Sequence, residues 1–250
     1  MIKGVIFDYG GTLDTAGCHW GVMLWRAYQR HQIPVSEQQF REAYVYAERT
    51  LGKNPIIKSH DTFRTTLDVK IKLEMDYLRE QQMWLCDEQT FNQKHDAVLN
   101  DLYEQVVATT AESRKVLQTI QKTLPMVLVS NFYGNINTVL AEFGLSDLFQ
   151  HVIESAAVGI RKPDSRLFQL GVEALGLKPE EVLVVGDSLE KDIAPAQQIG
   201  CKTAWLEGEG WLPRNDNPIT EDRTNRGADE NAPILSDWII HTIKDVQTTL

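Results

Sequence analysis

Apolar residues follow two rhythms along this chain. Short unbroken runs (Val5-Ile6-Phe7, Met126-Val127-Leu128-Val129 and Val182-Leu183-Val184-Val185) each lead into a polar or glycine position. Such runs predict strands buried on both faces. Val152-Ile153 and Thr203-Ala204-Trp205-Leu206 predict two more. Between the first and second runs the rhythm is helical. Ser36 and Gln39 form a capping box, and Phe40, Ala43, Tyr44, Ala47 and Leu51 then share one face. Phe63, Leu67, Ile71, Met75 and Leu78 make a second stripe, and Phe91, Val98, Leu102 and Val106 help make a third. The spacing predicts an all-helical insert of about four helices over residues 16–107, with hinges near Thr15–Gly17 and Ala108–Glu112.

From Glu112 strands and helices alternate. Helices are predicted at Glu112–Leu124, Asn135–Phe143, Pro163–Leu175 and Ile193–Ile199, with Gly144, Gly176 and Gly200 ending the last three. The alternation predicts an α/β fold: a Rossmann-like parallel sheet core (1–15 and 108–250) with an inserted helical cap domain. Glu207–Ala232 is polar and rich in glycine and proline, so it predicts a long loop. Pro233–Leu235 predicts an edge strand, and Ser236 the cap of a last helix reaching about Val246.

Composition narrows the function classes. The 250 residues are 42% hydrophobic and 24% charged, an ordinary globular balance. A net charge of −10 argues against general binding to nucleic acid or membrane surfaces, though not against a local phosphate site. The three cysteines are widely spaced and form no CxxC pair, which predicts a reduced, cytoplasmic setting. Neither a leader nor an apolar run near ~18 residues is present, so no signal peptide or membrane span is expected.

Chemistry-bearing residues sit at the carboxyl ends of the predicted strands, where open α/β sheets bind ligands. They are Asp8 with Thr12, then Ser130, Lys162, and Asp187 with Asp192. Taken singly, each has a plainer reading as a helix cap, turn or surface residue. Their joint order, and the run Asp8-Tyr9-Gly10-Gly11-Thr12-Leu13-Asp14, resembles the four motifs of the haloacid dehalogenase-like (HAD) superfamily with a type 1 cap. The detailed resemblance spans Met1–Asp14 and Glu112–Leu206.

The resemblance implies a hydrolase, most simply a Mg²⁺-dependent phosphatase acting on a small phosphorylated metabolite through an aspartyl-phosphate. Asp8 would be the nucleophile, with Thr12, Ser130 and Lys162 completing the catalytic set. Ser130, Asn131 and Lys162 would hold the phosphoryl group. Mg²⁺ would be held by Asp8, the Gly10 carbonyl and Asp187, and Asp192 would hold metal waters or the lysine from outside. Most phosphatases of the family carry a second aspartate at the position of Gly10, which protonates the leaving group and then deprotonates water. Branches lacking it include P-type ATPases, phosphonoacetaldehyde hydrolases with a cap lysine, and 2-haloacid dehalogenases. Lys53 and Lys58 are candidates for such a lysine, and His19 for a substitute acid. Lys53, Lys58, His60 and Arg64 form a polar stretch that could reach the site. The metal-type run Gly186-Asp187-Ser188 fits the dehalogenases poorly. A phosphate-binding relative that has lost turnover is the remaining alternative.

Overall fold

The computed structural model describes residues 1–211 and 235–250. Six parallel strands make up the sheet among these residues: β1 Gly4–Phe7, β2 Met126–Ser130, β3 His151–Glu154, β4 Val182–Gly186, β5 Lys202–Leu206 and β6 Trp238–Ile240. Their order is β3-β2-β1-β4-β5-β6. The Rossmann-like α/β core is therefore as expected, with β1, β2 and β4 side by side at its centre. Every residue of these three strands is buried, because helices cover both faces. Phe7, Leu128 and Val185 face one core cluster, and Ile6, Val127 and Val184 the other, as the two-residue period requires.

Four long helices occupy the region between β1 and β2: α1 Trp20–Arg30, α2 Glu37–Lys53, α3 Phe63–Glu80 and α4 Glu88–Ile120. The Ser36–Gln39 capping box is present, and the α3 stripe Phe63, Leu67, Ile71, Met75 and Leu78 is buried. One expectation changes here. The separate helix at Glu112–Leu124 is the second half of α4, which runs for 33 residues and passes through Ala108–Glu112 unbroken. The segment contains neither Gly nor Pro, and the Thr110 hydroxyl donates to Val106 O at 2.7 Å instead of competing with the helix. Lower down, Ser113 Oγ donates to Leu13 O at 2.8 Å, tying α4 to the turn after β1.

Shorter helices follow at α5 Ile136–Glu142, α6 Ser155–Val158, α7 Arg166–Leu175 and α8 Ala194–Gln198. The helix expected from Pro163 begins at Arg166, after a turn. The one expected from Ile193 is preceded by a wide π turn over Leu189–Ile193. The expected helix from Ser236 to Val246 is absent. β6 and a 3₁₀ helix, Ile243–Thr248, stand there instead. Ser236 Oγ donates to Thr203 O at 3.0 Å and accepts the Trp205 N–H at 3.0 Å, while Asp237 accepts the Thr203 N–H at 2.9 Å. These side chains bind the edge of β5, so Trp238-Ile239-Ile240 extends as a strand. The loop and edge strand expected at 207–235 fall outside the described residues, apart from 207–211 and Leu235. No helix is long and apolar enough to cross a membrane among the described residues.

Candidate active site

β1, β2 and β4 end at the same level, so the residues that follow them meet. Asp8 leaves β1 with its N–H on Val185 O at 3.0 Å, which carries its side chain over the carboxyl edge of the sheet. The Asp8 carboxylate is buried. Oδ1 accepts from Lys162 Nζ at 2.6 Å and from Ser130 Oγ at 3.3 Å, and Oδ2 lies 3.2 Å from Thr12 Oγ1. Lys162 is only 4% exposed and also donates to Asp192 Oδ1 at 2.7 Å. Asp192 Oδ2 accepts the Ser188 N–H at 3.1 Å, so both of its oxygens are engaged.

Thr12 is the pivot of the acidic side. Its hydroxyl oxygen accepts the Asp187 N–H at 3.1 Å and lies 3.1 Å from Asp187 Oδ1 as well as 3.2 Å from Asp8 Oδ2. A hydroxyl has one hydrogen. It cannot satisfy both carboxylates, so the second carboxylate oxygen takes its partner from elsewhere: water, a proton or a cation. Oxygens of Asp8, Asp187 and Asp192 all lie within 4.8 Å of one another. Burial pushes the Asp8 carboxyl up to about 6 against the pull of Lys162, with Asp192 adding to the rise. Burial, then Asp192 and Asp8, hold Asp187 well above the usual carboxylate range. Lys162 is held above the usual ammonium range: burial lowers it, but Asp192 and Asp8 outweigh that. The donor set is hard oxygen and carries surplus negative charge, which fits Mg²⁺.

Gly10 and Gly11 do different work in the turn. Gly11 has φ +98°, and a Cβ there would overlap the Asp187 carboxylate. Gly10 is exposed to the cavity, and a Cβ there would meet nothing within 4 Å. Asp14 accepts the Gly11 N–H at 2.7 Å and the Trp20 indole N–H at 3.0 Å. Burial raises the Asp14 carboxyl to about 7 despite these two donors.

The structure brings Asp8, Gly10, Ser130, Asn131, Lys162, Asp187 and Asp192 to the wall of one cavity of about 200 Å³, with Thr12 immediately behind. Asn131 reaches it indirectly. Its side chain donates to Lys162 O at 3.1 Å and accepts the Lys162 N–H at 2.9 Å, so it positions the lysine. His19 also lines the cavity, with Nδ1 accepting the Gly21 N–H at 3.0 Å as the cap of α1. The polar stretch at 53–64 does not line it. Lys53 borders a separate cleft beside Tyr46 and Tyr77, Lys58 Nζ donates to Pro55 O, His60 is exposed, and Arg64 donates to Asn100. The helical region supplies Trp20, Tyr44, Glu48 and Lys70 instead.

These groups converge on one cavity around a strand-end aspartate. The sequence model of the haloacid dehalogenase-like hydrolase family matches residues 2–200, and the chain belongs to that family. It is 41% identical over 63 residues to a glyceraldehyde 3-phosphate phosphatase of Pyrococcus furiosus, covering 25% of this chain and 26% of that one. It is 35% identical over 107 residues to a phosphoserine phosphatase of Thermus thermophilus, covering 42% and 41%. The chain thus spans well under two thirds of these relatives. Among solved structures, a HAD-hydrolase of Bacillus subtilis bound to magnesium superposes with TM-score 0.57 at 18% identity, over 100% of this chain and 98% of that one. An L-2-haloacid dehalogenase of Xanthobacter autotrophicus gives 0.57 at 20% identity, over 99% and 98%. These likenesses concern the fold.

Proposed function

We propose that the protein is a Mg²⁺-dependent phosphatase that cleaves small phosphorylated metabolites through an aspartyl-phosphate on Asp8. The observation that carries this reading is the buried Asp8 carboxylate, held by Lys162 and Ser130 on one oxygen and facing Asp187 across the single Thr12 hydroxyl. A family fold whose curated relatives include named phosphatases supports it.

An Asp8 oxygen attacks phosphorus as the bond to the leaving oxygen breaks, and the leaving oxygen takes that electron pair. Lys162 and Ser130 hold the carboxylate in line and offer positive charge and an O–H to the transferring group. Water then attacks the phosphorus, releasing phosphate and restoring the Asp8 carboxylate. Asp8, Asp187 and the Gly10 carbonyl would hold Mg²⁺, which offsets the repulsion between carboxylate and phosphate dianion. Asp192 keeps Lys162 protonated and aimed. Residues 16–107 act as the cap that excludes water from the cavity, with α4 shared between cap and core.

The two lysines expected for a Schiff-base route, Lys53 and Lys58, lie away from the cavity, and Lys70, which lines it, is held protonated. Burial lowers Lys70, but Glu48 more than restores it. The test is phosphate release from p-nitrophenyl phosphate. Release is expected with Mg²⁺, to stop with EDTA, and to stop in Asp8→Asn. Full activity in EDTA would overturn the metal-dependent reading.

A further inference from the structure

The cavity has a second charged wall opposite its acidic floor. Lys70 of α3 and Glu48 of α2 form an ion pair there, and the Tyr133 hydroxyl donates to Glu48 Oε2 at 3.2 Å. Lys70 is 8% exposed. An ammonium carries three N–H donors, and among the described residues Glu48 is the one oxygen partner recorded for it. Aromatic rings stand close by, with Nζ 5.8 Å from the Trp20 ring centre and 5.6 Å from that of Tyr44, and the buried Glu74 carboxyl one turn along α3 also feels its charge. Trp20, Tyr44, Glu48 and Lys70 all line the same cavity as Asp8.

A buried ion pair is a poor stabiliser, because an apolar pair of equal volume joins two helices about as well. An apolar pair could not present spare N–H donors to a ligand. Arg161 and Lys191 add positive charge to the same wall. A group bonded to phosphorus at Asp8 shares this cavity with Lys70.

We infer that Lys70 is a specificity-determining residue that binds a second anionic group, a carboxylate or a further phosphoryl, on the leaving group of the substrate. The inference rests on the phosphatase reading. It excludes simple alkyl phosphates and cationic amine phosphates as preferred substrates. Glu48 holds Lys70 in place between turnovers and gives it up in part when the anion arrives.

The test uses ligands that cannot turn over, in Mg²⁺, by calorimetry. 3-Phosphonopropionate and propane-1,3-bisphosphonate are compared with propylphosphonate, which lacks the second anion. The wild type is expected to bind one or both of the ligands that carry a second anionic group about ten- to hundredfold more tightly, the range of a charge-assisted hydrogen bond. Whichever gains more identifies the second group. Lys70→Met is expected to reduce the preference to under about threefold, with circular dichroism confirming the fold. Glu48→Gln, which frees Lys70 from its partner, is expected to widen it. Equal binding of all three ligands by the wild type, or a preference that survives in Lys70→Met, overturns the inference and leaves the phosphatase reading standing. Binding of none of the three overturns both.

Discussion

At the scale of one residue, the proposed mechanism turns on Gly10. If no other side chain takes over the acid that Gly10 lacks, cleavage should depend on how well the leaving oxygen bears charge. Aryl and acyl phosphates should then react far faster than alkyl phosphates. Gly10 offers water no base either, so an aspartyl-phosphate should accumulate and give a burst with p-nitrophenyl phosphate. A Cβ at Gly10 meets nothing within 4 Å, so a side chain can start there without a clash. Gly10→Asp should raise alkyl phosphate turnover by about 10²–10⁴-fold, measured as steady-state phosphate release. Gly11→Ala should do the opposite, because its φ is +98° and its Cβ would displace Asp187. Glu74 carries a separate prediction. It is fully buried, its Oε1 has no hydrogen-bond partner among the described residues, and Tyr28 donates to Oε2 at 3.2 Å. Burial raises its carboxyl to about 8. The folded state therefore keeps a proton that the unfolded chain loses near its ordinary value of 4.5. Stability must fall as pH rises between those two values, by up to ~1.4 kcal/mol per unit. Glu74→Gln should flatten that slope in denaturant melts at pH 5 to 8.

Helices show what periodicity could and could not reveal. The stripes of α2 and α3 were legible because their apolar residues repeat every three or four positions. Lys70 and Glu74 lie on the same face as Leu67, Ile71 and Leu78, and a charge inside an apolar stripe is the signal that pointed to a buried function there. That signal is masked in the sequence, because the stripe alone accounts for the helix. The continuity of α4 was hidden because polar Thr110 and Ser113 take the buried positions between Val106 and Val116, so the apolar stripe reads as broken there. Gly21 in α1 offers an element-scale test. Propensity favours Ala over Gly in a helix by about 1 kcal/mol. Here a Cβ would overlap the ring of Trp211, which stacks on Phe40 with centres 5.6 Å apart and lies 4.3 Å from the Arg41 guanidinium. Gly21→Ala should therefore lose stability and shift tryptophan emission to the red, despite its better propensity.

For the molecule as a whole, the order of the strands mattered more than any one of them. Asp8, Ser130 and Asp187 were legible because each ends or follows a strand, and the parallel sheet sets β1, β2 and β4 adjacent; Lys162, expected at a strand end too, instead comes after α6. The chain's last strand was missed because Ser236 caps helices as readily as it pairs with a sheet edge, and only the position of β5 decides between them. The assembled acidic floor also predicts global stability. Asp8, Asp187 and Asp192 crowd one small volume, with Lys162 as the cation among them. Mg²⁺ should raise the melting temperature, by the equivalent of about 2.7 kcal/mol at a hundred times its dissociation constant. Asp187→Asn should melt higher than the wild type without metal and lose most of the Mg²⁺-induced rise, both read by scanning calorimetry.

The open space over Gly10 is also a place that solutes can occupy. A proton donor missing from the chain can be supplied from solution if it is small and finds a vacant volume beside the leaving oxygen. Formate, acetate or imidazole in the buffer should then speed alkyl phosphate turnover in a saturable way. The gain should follow the pKa of the added acid and fade with its size. It should vanish in Gly10→Asp, where the protein's own carboxyl fills the space.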